Sequence, residues 1–306
     1  MDTPTQALTD WISSEEAMEL ERHYGAHNYA PQPAVLAEGK GVDVWDPEGR
    51  HYYDCLAAYS ALNQGHCHPR VVNVLKEQAE HLTLTSRAFY SNWLGRAEQY
   101  LAQTLNFDKV LFMNAGVEAV ETAIKLTRKW AYQVKQVPQD TAKIIVVDEN
   151  FHGRTINVIS FSTEHESRHE FGPFNSGYEV IPYGDTEALE KAVQDPHVAG
   201  FMVEPVQGEA GAVVPHDGYL KAAKEICERN HVLFIADEIQ SGLGRTGAML
   251  ACDHEHVKPD VLILGKALSA GTMPVSAVLA DDEVMLTMQP GEHGSTFGGN
   301  PLGARI

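Results

Sequence analysis

Basic residues are scarce in this sequence. Its 306 residues include 23 lysines and arginines against 42 aspartates and glutamates, which gives a formal net charge of −19. Nucleic acids and anionic lipid surfaces bind basic patches, so this balance argues against a nucleic-acid or a membrane partner. Long apolar runs are also missing, and no stretch approaches the roughly 20 residues that span a bilayer. The first residues carry Asp2 and Asp10 and no basic stretch typical of a signal peptide or presequence, which predicts a cytoplasmic protein.

Cysteine is scarce as well. The four cysteines are scattered and form no CxxC pair: Cys55, Cys67, Cys227 and Cys252. This spacing excludes a disulfide scaffold and favours reduced thiols in a cytosol. His66, Cys67 and His68 form a local cluster of possible metal ligands, but no second cluster of matching spacing accompanies it. We therefore predict no metal site.

The hydrophobic pattern alternates between short strands and helices. Predicted strands cover 110–113, 143–147, 200–203, 232–236 and 261–264, and predicted helices cover 69–82, 116–135, 186–193 and 218–229. This alternation is typical of an α/β fold with a mostly parallel sheet covered by helices on both faces. Before it, a short helix capped by residues 13–16 and running toward Tyr24, a loop and a β-hairpin around Asp46–Gly49 form an N-terminal segment. The pattern predicts two parts, residues 1–60 and a large domain over 61–306.

Three chemically distinct features follow predicted strands. Lys266 ends the run Val261–Leu264 after one glycine, Asp237 ends the strand at 232–236, and Gly116 opens a helix after the strand at 110–113. A desolvated lysine is a nucleophile toward aldehydes, an acid can keep a pyridine nitrogen protonated, and free amides at a helix start hold a phosphate. These are the parts of a pyridoxal 5′-phosphate (PLP) site. Taken singly, each has an ordinary alternative: a solvated lysine, a turn-capping aspartate and a glycine turn.

Further loops at strand ends carry polar groups. Phe151 could stack on a flat ring and Arg154 could bind a carboxylate in a fork, although a solvated surface loop explains both equally well. The loop 204–211 holds two acids, and the glycine-rich loop 294–301 holds two hydroxyls. Either loop is also compatible with ordinary turn chemistry.

Together these runs resemble the class III PLP-dependent aminotransferases of fold-type I. The resemblance extends from Tyr24 to the last residue, and within the class it is strongest to the enzymes that act on ornithine. The most specific runs are Tyr24–Tyr29 (YGAHNY), Asn63–Pro69 (NQGHCHP), Leu84–Tyr90 (LTSRAFY), Glu204–Gly211 (EPVQGEAG), Asp237–Gln240 (DEIQ), Leu264–Leu268 (LGKAL) and Gly294–Pro301 (GSTFGGNP).

The resemblance implies a role for each matching position around the cofactor. Lys266 would bind PLP covalently and shuttle the proton, and Asp237 would pair with the pyridine nitrogen. The other implied contacts are Phe151 and Ile239 on the two faces of the ring, Gln240 at the phenolic oxygen, and the amides of Gly116 and Val117 at the phosphate. Ser295 and Thr296 would reach the phosphate of a neighbouring subunit, which implies a homodimer. His152 stands where some relatives carry a tryptophan.

The resemblance also implies the substrates. Tyr29 and Arg154 would hold the distal carboxylate, Tyr59 would line the pocket, and Glu209 would pair with an arginine near the C-terminus of the family. The implied reaction transfers the δ-amino group of L-ornithine to 2-oxoglutarate, giving glutamate and glutamate 5-semialdehyde, which cyclises to pyrroline-5-carboxylate. Acetylornithine or 4-aminobutyrate is the alternative amino donor. Arginine breakdown and proline supply both remain open as pathways.

One departure from the family concerns the end of the sequence. The family has a further small C-terminal domain, whereas this sequence stops at Ile306, within a run that begins a helix at Pro301. The arginine expected to meet Glu209 is therefore absent. The sequence predicts a large domain that lacks the small one, and a non-catalytic PLP-binding remnant is an alternative to an active enzyme.

Overall fold

A twisted sheet forms the centre of the protein. The computed structural model describes residues 11–306. The strands are β1 (Glu38–Lys40), β2 (Asp43–Trp45), β3 (His51–Tyr53), β4 (Lys109–Met113), β5 (Lys143–Val147), β6 (Tyr178–Ile181), β7 (Val198–Val203), β8 (Leu233–Asp237), β9 (Val261–Leu264) and β10 (Ser276–Ala280). Seven of these form one sheet in the order β4-β10-β9-β8-β7-β5-β6. Only β10 runs antiparallel to its neighbours, β4 and β9, so the predicted, mostly parallel α/β sheet is confirmed.

Helices cover both faces of this sheet. The helices of the described residues are α1 (Ser14–Tyr24), α2 (Ala57–Ser60), α3 (Pro69–Ala79), α4 (Leu94–Leu105), α5 (Gly116–Gln133), α6 (Ile156–Ile159), α7 (His165–Arg168), α8 (Thr186–Ala192), α9 (Tyr219–Arg229), α10 (Asp282–Met285) and α11 (Pro301–Arg305). Short 3-10 helices lie at Ala251–Glu255 and Lys266–Ser269.

The apolar strands produce a core on each side of the sheet. Successive side chains of a strand point to opposite faces, so a run without polar residues must be buried on both. In β5, Ile145 and Val147 pack into one core, whereas Ile144 and Val146 pack into the other. The first core is closed by α4, α8 and α9, and the second is closed by α5. This packing fixes the strand ends, which carry the polar residues considered below.

The N-terminal segment forms the predicted helix and hairpin. Ser13 caps α1 by accepting a hydrogen bond from the amide of Glu16 at 3.2 Å. β2 and β3 pair antiparallel across the turn 46–49, and β1 extends them to a three-stranded sheet. The boundary near residue 60 stays a prediction. Asp2 and Asp10, on which the cytoplasmic prediction depended, lie outside the described residues.

Several element ends differ from the sequence prediction. The helix predicted over 69–82 ends at Ala79 as α3, and the strand predicted from residue 200 begins at Val198 as β7. Among residues 11–306, none of the helices combines the length and the apolar character that a membrane crossing requires. Within the same range, no group of three or more histidine, cysteine or acidic side chains is placed to hold a metal ion. All four cysteines are free thiols.

Candidate active site

A cavity of about 180 Å³ lies at the carboxyl ends of the parallel strands. It is lined by residues that follow β4, β5, β7, β8 and β9: Gly116, Val117, Phe151, His152, Gly153, Glu204, Asp237, Ile239, Gln240 and Lys266. Strands that run in parallel end at one edge of a sheet, and ligands of such sheets bind outside that edge. The structure thus brings together all the predicted cofactor-binding residues except Ser295 and Thr296.

Lys266 lies at the start of a 3-10 helix directly after β9. Its φ of +40° is a left-handed conformation that costs energy for a residue with a side chain. Burial lowers the pKa of Lys266, and the charges of Glu209, Asp237 and Glu204 oppose this only in part. A larger fraction of free amine than an exposed lysine would have is therefore available at neutral pH.

Asp237 ends β8 as a buried carboxylate with two donors. Its Oδ2 lies 2.6 Å from Nδ1 of His152. Its Oδ1 accepts a hydrogen bond from the backbone amide of Ile239 at 3.1 Å. The side chain of His152 is completely buried. Burial alone lowers the pKa of His152, but the hydrogen bond and the charge of Asp237 outweigh burial and raise it. Asp237 and His152 therefore form a buried, hydrogen-bonded pair at the end of β8.

A second buried acid, Glu204, follows β7 in the adjacent position of the sheet. Burial raises its pKa to about 7, the charge of Asp237 adds to this, and His152 opposes it. Its Oε2 accepts the amide of Phe151 at 3.0 Å. Glu204 therefore keeps its proton to a higher pH than an exposed glutamate would, while Asp237 beside it is paired with His152.

The first turn of α5 presents free amides to the cavity. The carboxylate of Glu118 accepts hydrogen bonds from the backbone amides of Asn114 and Ala115 at 2.8 and 2.9 Å. The backbone amides of Gly116 and Val117 have no hydrogen-bond acceptor within residues 11–306. A Cβ on Gly116 would lie 3.1 Å from Cδ1 of Ile239, so glycine allows the two segments to approach. Two free N–H groups at the positive end of an 18-residue helix are suited to a phosphate.

Gln240 connects this cavity to residues predicted on the substrate side. Its Nε2 donates to Oε1 of Glu209 at 3.2 Å and to the backbone oxygen of Tyr59 at 3.4 Å. Gly208 makes this position possible, because a Cβ there would lie 1.3 Å from Oε1 of Gln240. The structure thus brings Glu209 and Tyr59 to the mouth of the cavity.

The remaining predicted residues lie outside the cavity lining. Arg154 extends over Phe151, with Cζ 5.5 Å from the ring centroid. Ser295 accepts a hydrogen bond from Nδ2 of Asn114 at 2.9 Å, and Thr296 is exposed. Tyr29 lines a separate groove of about 740 Å³ between α1 and residues 25–36. The structure therefore does not bring Tyr29 to Lys266 within this chain, and its role stays a prediction.

Sequence reasoning assigned no cofactor contact to three residues of the cavity lining, His152, Gly153 and Glu204. Glu204 directly follows β7, so its position at a strand end was the signal that could have indicated it. His152 meets Asp237 across a sequence separation of 85 residues, and no local pattern announces that contact.

Comparisons with known proteins agree with this geometry. Residues 24–306 match the family Aminotransferase class-III. A rat protein named ornithine aminotransferase, mitochondrial, is 59% identical over 294 residues, which cover 96% of this chain and 67% of the rat protein. The crystal structure of ornithine aminotransferase from Toxoplasma gondii superposes with a TM-score of 0.96 at 51% identity, covering 98% of this chain and 71% of that one. A crystal structure named acetylornithine aminotransferase, from Elizabethkingia anophelis, gives 0.88 at 55% identity, with coverages of 97% and 73%.

Proposed function

We propose, because this chain belongs to the class III aminotransferases, that it uses PLP to transfer the δ-amino group of L-ornithine to 2-oxoglutarate. The products are glutamate and glutamate 5-semialdehyde, which cyclises to pyrroline-5-carboxylate. One observation carries the proposal: a lysine of lowered pKa, a buried carboxylate and two free helix amides line a single cavity. Relatives named ornithine aminotransferase, 54–59% identical to this chain, support ornithine as the substrate.

The residues of the cavity fit PLP. Lys266 would hold it covalently through Nζ, Asp237 would hold the pyridine nitrogen, and the amides of Gly116 and Val117 would hold the phosphate. Phe151 and Ile239 would contact the two faces of the ring, and Gln240 would reach the phenolic oxygen. When bound, the protonated pyridine ring of PLP accepts the electrons of the C–H bond that breaks at the substrate δ-carbon.

The chain itself supplies the proton transfer. Lys266 Nζ, as a neutral amine, would take the proton from the δ-carbon and deliver it to C4′ of the cofactor, which requires a pKa near the working pH. His152 Nδ1 lies 2.6 Å from Oδ2 of Asp237 and holds that carboxyl group in place. The contact fixes the carboxyl group of Asp237 at the cavity, where it would pair with the pyridine nitrogen.

A terminal amine reacts only if the other end of the substrate is held away from the ring. Arg154 is placed for this, since its guanidinium lies against the Phe151 ring that lines the cavity. A guanidinium binds a carboxylate through two parallel hydrogen bonds. We assign Arg154 to the α-carboxylate of ornithine, with Tyr59 and Glu209 at the cavity mouth and Tyr29 as a further contact.

We also propose a homodimer in which Ser295 and Thr296 contact the phosphate bound by the partner subunit. Large aromatic side chains are exposed on the chain and would be covered by a second copy: Tyr24, Tyr53, Phe89, Tyr90, Tyr100 and Phe297. Light scattering of the purified, PLP-loaded protein in solution should give twice the chain mass. A monomer with bound PLP would contradict this assignment.

A cytoplasmic location completes the proposal. It depends on the four scattered cysteines, which form no CxxC pair and favour reduced thiols. Several relatives, including the rat protein, carry "mitochondrial" in their names. Cell fractionation distinguishes the two compartments.

The test of the function is an absorbance spectrum of the purified chain with PLP, before and after ornithine. We expect a visible band that ornithine removes and 2-oxoglutarate restores, with pyrroline-5-carboxylate as product. Lys266→Ala should lose the band. N-acetylornithine and 4-aminobutyrate are the competing amino donors, and faster turnover of either would overturn the ornithine assignment.

A further inference from the structure

The guanidinium assigned to the substrate carboxylate already faces a carboxylate of this chain. Nη1 of Arg154 lies 3.3 Å from Oε2 of Glu164. Both side chains are partly exposed, at 61% and 47% of their full area, so solvent and small solutes can reach them. The same guanidinium lies over Phe151 at the cavity. A carboxylate of the protein thus lies where a substrate carboxylate would have to bind.

The backbone on both sides of this ion pair is anchored. After Arg154, the side chains of Thr155 and Asn157 both donate to the carboxylate of Glu121 on α5. On the other side, the amide of Glu164 donates to Ser162 Oγ at 3.2 Å. The charged groups of Arg154 and Glu164 have no other hydrogen-bond or ion-pair partner among residues 11–306. Only the two side chains therefore need to move for the pair to open.

We propose that Glu164 binds the guanidinium of Arg154 in the free enzyme and is displaced from it by the carboxylate of the substrate. This inference rests on the proposed function, because it takes Arg154 as the carboxylate-binding group. The exchange replaces one carboxylate with another at the same guanidinium, so the charge of the site is conserved. Exposed ion pairs of this kind are weak, and the competition should weaken substrate binding by about two- to fivefold.

The experiment compares Glu164→Gln with Glu166→Gln in the PLP-loaded protein. Glu166 is an exposed acid two residues away, so its variant removes the same charge without contacting Arg154. The probe is pentanoate, which has the carboxylate and carbon chain of ornithine but no amine, titrated calorimetrically, with uncharged pentanamide as the ligand control. We expect Glu164→Gln to lower the Kd of pentanoate and the KM of ornithine by about two- to fivefold. The kcat for ornithine should stay unchanged. Glu166→Gln and pentanamide should show no such gain.

A double-mutant cycle separates this inference from the proposed function. Arg154→Gln should raise the Kd of pentanoate, and in that background Glu164→Gln should have no further effect. If Arg154→Gln leaves the Kd unchanged, the assignment of Arg154 in the proposed function is overturned. If Arg154→Gln weakens binding but Glu164→Gln behaves like Glu166→Gln, or still acts without Arg154, only the role of Glu164 is overturned.

Discussion

Replacing Glu204 with glutamine should make the protein more stable at alkaline pH. Glu204 is buried beside Asp237, and burial raises its pKa from 4.5 to about 7. Glutamine has nearly the same shape and can still accept the amide of Phe151 through its carbonyl oxygen. The variant removes the ionisation and keeps the contact.

The magnitude follows from the linkage between proton binding and folding. Between pH 4.5 and about 7, the folded protein keeps a proton on Glu204 that the unfolded chain has lost. The free energy of unfolding therefore falls as pH rises through this window and becomes flat above it. Each pH unit is worth about 1.4 kcal/mol, so the full penalty is on the order of 3 kcal/mol. Glu204→Gln should be about 3 kcal/mol more stable than the unaltered protein at pH 8, and within about 1 kcal/mol of it at pH 5.

Urea unfolding of both proteins at pH 5 and pH 8 measures this difference. Glu225 is an exposed acid on α9, so Glu225→Gln is the matched control. Its free energy of unfolding should equal that of the unaltered protein at both pH values. A stability difference between Glu204→Gln and the unaltered protein that is equal at pH 5 and pH 8 would refute the reasoning, because it would mean that Glu204 does not change its charge within this range.

Two further substitutions test the neighbouring contacts. His152→Phe keeps a ring of similar size but leaves buried Asp237 with only the amide of Ile239 as a donor. The free energy of unfolding should therefore fall by about 3–5 kcal/mol. A loss below about 1 kcal/mol in urea unfolding would contradict a buried ion pair. Gly208→Ala places a Cβ 1.3 Å from Oε1 of Gln240 and should displace that flexible side chain. We expect little change in melting temperature but roughly tenfold weaker PLP binding, measured by fluorescence titration, and unchanged binding would remove Gln240 from the cofactor site.

Much of the fold was predictable because the strands are buried on both faces. A run such as Lys143–Val147 or Val261–Leu264 has no polar face, and the structure forms strands over those residues. β10 was not predicted, although it separates β4 from β9 in the sheet. Strand order and direction depend on pairing between distant segments, and the composition of Ser276–Ala280 does not specify a partner.

The candidate site likewise contains residues that could be predicted from the sequence and contacts that could not. Lys266, Asp237 and Gly116 could be grouped from the sequence because each follows a strand, and parallel strands end at one edge. The contact of His152 with Asp237 depends on side-chain reach across the sheet, which has no periodic pattern in the sequence. The position of Tyr29 depends on how the N-terminal segment packs, and within the described part of the chain it lies in a different groove from Lys266.

The protonation of Glu204 also affects the pKa of Lys266. The charges of Glu209, Asp237 and Glu204 all raise the pKa of Lys266, whereas burial lowers it. Protonation of Glu204 below about pH 7 removes one of these negative charges. A cavity with two permanently ionised acids would stabilise the ammonium form of Lys266 and oppose its action as a base. Glu204→Gln should therefore lower the pKa of Lys266 at alkaline pH, which the pH dependence of reductive methylation at Nζ, followed by mass spectrometry in the PLP-free protein, measures directly. An unchanged Lys266 titration in that variant would show that the two groups are not electrostatically coupled.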